Sequence, residues 1–139
     1  MVTVGDTLTI PCIVGGQTIN HPHIVMTDPH TIILGDMEVE GVILVNVSSK
    51  HKGVYFDPAC QLTKGEHELV VHDSWIVYDR ARVMRTSEIQ DGLTKGSFKQ
   101  FGKASVPMMS KIKMGMNKSK HIKRNIQTIY NNAVRARKA

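Results

Sequence analysis

The sequence predicts a mainly β domain, a small antiparallel barrel or strongly curled sheet, that ends in a basic helical extension. Short β-branched runs separated by glycine and Asp-Pro turn signals fill the first two-thirds of the chain. After residue 105 the apolar spacing turns helical, and the sign of the charge changes with it. Thr7 to Pro11 is a short alternating strand, and Ile24-Val25-Met26 is a compact apolar run stopped by Asp28-Pro29. The run Val42-Ile43-Leu44-Val45-Asn46-Val47 is β-branched and apolar on both faces, which suits a central, buried strand. Glu68 to His72 and Trp75 to Met84 read as two further strands. Gly15-Gly16, Gly35-Asp36, Lys52-Gly53, Asp57-Pro58 and Lys64-Gly65 supply the turns.

In the last third, Ser105 is placed to cap a helix beginning near Pro107, with Met108, Met109 and Ile112 on one face before Gly115 interrupts it. A second helix, starting at Ser119, carries the stripe Ile122, Ile126, Ile129 or Tyr130, and Val134. Gly92 to Gly102 is the expected connection, so the chain divides into a barrel core, 1–94, and a basic linker with helices packed on or beside it, 95–139. Residues 1–94 hold all 12 acidic residues and six basic ones, whereas 95–139 hold 12 basic residues and no acid. A segment so basic is attracted to polyanions through counterion release, although a lysine-rich face that merely keeps a protein in solution has the same composition.

With 139 residues and 41% hydrophobic content the chain can bury a real core without a disulfide or structural metal as a staple. Cys12 and Cys60 fit no zinc pattern and are expected to be free thiols. No apolar run is long enough to span a membrane, and the N-terminus lacks the layout of a secretory signal, so the expected location is the cytoplasm.

The order of segments is similar to that of the MazF/PemK (Kid) toxin ribonucleases. The matching stretches are Val4-Gly5-Asp6-Thr7-Leu8-Thr9-Ile10, the loop Cys12 to Asn20, His21-Pro22-His23-Ile24-Val25-Met26-Thr27, Val42 through Ser49, Ser74 through Val83, and the helix Ile122 to Val134. The resemblance implies an SH3-like barrel, a homodimer, RNA cleavage without metal or other cofactor, and an antitoxin protein as partner. It places the family's Arg before Pro on His21 and its Thr before the final Ser on Ser48. The second exchange keeps a hydroxyl. The first replaces a permanent charge by a group that titrates near neutral pH, which opens an acid–base role.

Cleavage of single-stranded RNA through a 2′,3′-cyclic phosphate needs a base for the 2′-hydroxyl, an acid for the leaving oxygen and donors for the phosphorane. Under this reading His21, Ser48 and His67 are the candidate catalytic residues, and His23, Ser49, Lys50, His51 and Arg82 the candidate substrate-binding ones. Each has a plainer role: a histidine beside proline as a turn residue, serines ending a strand, Arg82 paired with Asp79 or Asp57. Trp75 and Tyr78 suit a core or a dimer contact, or stacking on an unpaired base. A metal site made from His21, His23, Asp28, Cys60 and His67 is a second reading, without an established ligand spacing. A third keeps the barrel and removes catalysis, as in gyrase inhibitors of the CcdB type, or in a barrel that binds nucleic acid without cutting it.

Overall fold

The computed structural model describes residues 1–138. Its strands are β1 (Thr7–Val14), β2 (Gln17–Val25), β3 (His30–Leu34), β4 (Met37–Ser49), β5 (Gln61–Leu62), β6 (Ser74–Arg85) and β7 (Lys99–Phe101). Three helices complete it: α1 (Thr86–Lys95), between β6 and β7, then α2 (Val106–Lys118) and α3 (Arg124–Lys138). The strands run antiparallel in the order β5-β6-β4-β2-β1-β7 and curl into a half-barrel, while β3 pairs with the start of β4. The mainly β class with C-terminal helices is therefore the architecture observed.

β4 organises the sheet because it is buried on both sides. Ile43, Val45 and Val47 join Ile24, Ile76 and Tyr78 under α2 and α3. Val42 and Leu44 point the other way and join Leu8, Ile10, Val25 and Met84 under Ile89 of α1. This double burial is why the run from Val42 to Val47 is apolar without alternation.

The basic segment is integral to the fold. Lys99, Gln100 and Phe101 of β7 pair with Thr9, Leu8 and Thr7 of β1, so the boundary expected after residue 94 falls within α1 and its sheet partner lies beyond it. Ser105 caps α2, its hydroxyl accepting from Met108 N–H at 3.2 Å. Met108, Ile112 and Met116 of α2, with Ile126 and Tyr130 of α3, are buried against the sheet, each contributing about 1.5–3 kcal/mol. The lysines occupy the outer surface.

Gly115 does not interrupt α2. The helix continues through it, and glycine is required there because a side chain would collide with the Tyr78 hydroxyl, which donates to the Ile112 carbonyl at 2.8 Å. α3 begins at Arg124 rather than at Ser119, whose buried hydroxyl instead bonds Asp57 and caps the turn at His121 and Ile122.

Glu68 to His72, expected as a strand, is part of an irregular loop. Its backbone is satisfied by turn bonds, Val70 N–H to His67 O and Gly65 N–H to Val70 O, and only Val70 enters the core. That loop closes the half-barrel: Glu68 Oε1 accepts from Gly102 N–H at 2.9 Å, and His67 bonds the Gly102 carbonyl, just past β7. Cys12 is half-buried and Cys60 buried, and both are free thiols. Among the described residues, no helix is long and apolar enough to cross a membrane.

Candidate functional site

A polar group interrupts the apolar side of the sheet that α1 covers. On β2, His21, His23 and Val25 share one face by their period-2 spacing; on β4, Leu44, Asn46 and Ser48 share it as well. Register sets His23 opposite Asn46 and Arg82 opposite Leu44. Side chains separated by 59 residues thereby meet, and Arg82 Nη1 lies 3.2 Å from His23 Nε2.

The protonation of His23 follows from its partners. Nδ1 is 2.9 Å from the His21 carbonyl, an acceptor only, so the proton sits on Nδ1 and Nε2 offers its lone pair to Arg82. His23 is 1% exposed, and burial, aided by the charge of Arg82, pushes its pKa down to about 4. At neutral pH this imidazole is uncharged and anchors the guanidinium, which keeps further N–H donors for another acceptor.

Two atoms in the group lack partners. His21 Nε2 and Asn46 Oδ1 are both shielded from solvent without a hydrogen bond. Unsatisfied buried polar atoms are costly, by about 1–3 kcal/mol each, and these two lie on one face of adjacent strands.

β6 changes register beside this group. Between Leu44 and Asn46 on β4, its partners jump from Arg82 to Val77, so Tyr78 through Ala81 leave the ladder; Tyr78 and Ala81 stay in the core while Asp79 and Arg80 are carried to the surface. The bulge borders a cleft of about 440 Å³ whose walls include Ser48, Tyr55, Trp75, Val77, Asp79 and Arg80. A larger groove of about 860 Å³ lies between α3 and the β2–β3 turn; its walls, with Met26, Met114, Tyr130 and Val134, are mostly apolar.

The structure thus brings His21, His23, Ser48 and Arg82 onto one face and separates the other candidates from them. His67 sits at the closure of the half-barrel with both ring nitrogens occupied: Nε2–H donates to Gly102 O at 2.6 Å and Nδ1 accepts from Leu69 N–H at 3.1 Å. Lys50 bonds Gln61 Oε1 and lies 4.8 Å from the centroid of the Phe56 ring. Ser49 pairs with Ser74, and His51 is exposed in the turn that follows β4. His21, His23, Asp28, Cys60 and His67 do not converge, and among the described residues no group of three or more His, Cys, Asp and Glu could hold a metal ion.

Asn46 was not among the residues singled out from sequence. Its signal was present, an amide inside the most apolar strand of the chain, where an unpaired polar group is expensive unless it has a purpose.

The chain matches no protein-family model, no curated protein and no solved structure. The similarity to MazF/PemK toxins therefore stands on the quoted segments alone.

Proposed function

We propose that this chain is a metal-independent endoribonuclease of the MazF/PemK type, acting on single-stranded RNA. The observation that supports it is the grouping of His21 with the His23–Arg82 pair and Asn46, with His21 Nε2 left unpartnered. In the proposed reaction RNA binding opens the enclosed His21 Nε2, which then takes the proton of the 2′-hydroxyl as O2′ attacks the adjacent phosphorus. The P–O5′ bond breaks to give a 2′,3′-cyclic phosphate, and the leaving O5′ takes a proton from water. Arg82, oriented by the neutral His23, meets the developing charge on the phosphorane, with Asn46 and Ser48 bonding the nucleotide beside it. A homodimer and an antitoxin partner accompany this reading as further expectations of the resemblance, and a cytoplasmic location as the expectation from the sequence itself.

A non-catalytic barrel that binds nucleic acid, or a protein target as the CcdB type does, is favoured by one observation: His67 lies outside the group, leaving a single candidate for proton transfer. One experiment separates the two. Labelled single-stranded RNA is incubated with sub-stoichiometric protein in excess EDTA, beside His21→Ala. Fragments ending in cyclic phosphate that accumulate over many turnovers, at a rate about 10²–10⁴-fold lower in the variant, support the enzyme. RNA left intact by folded protein supports the binder.

A further inference from the structure

The cleft beside the β6 bulge combines features that the cleavage chemistry does not use. Its volume, about 440 Å³, suits one nucleotide and excludes a base-paired helix. Trp75 lines it, half-buried, with the Phe56 ring tilted behind at 6.3 Å. Tyr55 stands at the opening, its hydroxyl 2.7 Å from His121 Nε2, and the two rings meet edge to face. Such aromatic walls accept the face of any unpaired base.

The polar groups at the rim are more selective. Asp57 is occupied by the Ser119 hydroxyl and the Ala59 N–H. Asp79 and Arg80, pushed outward by the bulge, make no side-chain hydrogen bond or ion pair among the described residues. An ionised carboxylate can only accept, and it can accept two parallel hydrogen bonds. Guanine is the common base whose Watson–Crick edge offers two adjacent donors, N1–H and N2–H. Adenine and cytosine offer one beside a repelling acceptor, and uracil has one between two carbonyls.

We propose that this cleft is a guanine-binding pocket that gives the nuclease its base selectivity, a reading that rests on the ribonuclease assignment. Trp75 stacks on the base, Asp79 accepts from N1–H and N2–H, and Arg80 bonds the sugar-phosphate. Register links pocket and cleavage group: Asn46 lies opposite both His23 and Val77, and Ser48, opposite Trp75, is two positions further along β4, a separation of about 7 Å. A nucleotide seated in the cleft has its phosphate directed at His21 and Arg82.

Trp75 is the sole tryptophan of the chain, so its fluorescence reports occupancy without any cleavage. The experiment titrates the intact protein with GMP, AMP, CMP and UMP in EDTA, and repeats it with Asp79→Asn, an exposed position whose replacement leaves the core untouched. Saturable quenching by GMP, about tenfold tighter than by the others and lost in Asp79→Asn, supports the pocket. No quenching, equal quenching by all four, or a GMP response unchanged in Asp79→Asn overturns it. The same samples are then given RNAs with and without guanine. Cleavage that ignores guanine alongside absent quenching defeats the pocket and spares the ribonuclease; guanine-selective quenching with uncut RNA does the reverse.

Discussion

Acid should weaken this fold through one buried imidazole. His23 is held neutral, its pKa pushed from 6.5 to about 4 by burial and by Arg82. In the unfolded chain it titrates normally, so between those values the unfolded state binds the extra proton, and stability falls as pH drops through the window. The contribution lost is about 2 kcal/mol at pH 5 and about 3 kcal/mol at pH 4, relative to pH 7.5. Carboxylates add their own dependence, so the informative quantity is a difference between proteins. Replacing His23 with Gln removes the titration while leaving an amide able to donate to the His21 carbonyl. Urea denaturation of both proteins at pH 7.5, 6.0 and 5.0 should show the wild type losing about 2 kcal/mol more than His23→Gln over the range. Parallel losses would mean that the ring is not kept neutral by its surroundings and does not anchor Arg82 as an uncharged acceptor.

Three other outcomes follow from the packing. Gly115→Ala should destabilise by about 1–3 kcal/mol in urea despite the better helix propensity of alanine, because its methyl meets the Tyr78 hydroxyl; a gain in stability would refute the close packing. His67→Ala, which removes a bond to Gly102 at the closure, should cost about 1–3 kcal/mol and raise amide exchange in β7, and a nuclease assay would separate this structural role from a catalytic one. A chain cut after residue 94 should fail to give a cooperative thermal transition, since it lacks β7 and both helices that cover one side of the sheet; a folded fragment would show that the basic segment is an accessory.

The parts of this fold that can be read in the sequence are those whose signals are local. The apolar run Val42 to Val45 of β4 betrays its double burial, Ser105 followed by Pro107 marks the start of α2, and the spacing of Ile122, Ile126 and Tyr130 gives the inner face around α3. α1 escapes because only Ile89 and Leu93 form its apolar stripe, and β3 because its hairpin turns at Gly35 into the mostly exposed first residues of β4, Met37 to Glu40. Glu68 to His72 misleads in the other direction, its apolar Leu69-Val70-Val71 run reading as a strand although its hydrogen bonds close within the loop. At the site, histidines stand out by residue type. Which of them meet is decided by register: His23 opposite Asn46 depends on pairings with distant strands, and the bulge that frees Asp79 and Arg80 has no glycine or proline to announce it. His67, chosen on residue type, is committed to the backbone at Gly102 and Leu69.

The closure at Gly102 bears on how the molecule is made. Ribosomes deliver the chain from its N-terminus, so β1, β2, β4 and β6 emerge before anything can cover Ile24, Ile43 and Ile76. β1 also keeps an open edge until Lys99–Phe101 appear, and the loop bearing His67 and Glu68 waits for Gly102. A nascent chain that has stopped short of α2 and α3 is therefore a sheet with one greasy side and a free hydrogen-bonding border, the form most open to chaperones and to pairing with its own copies. Completion of the sheet edge and of the cover over Ile24, Ile43 and Ile76 therefore waits on β7, α2 and α3.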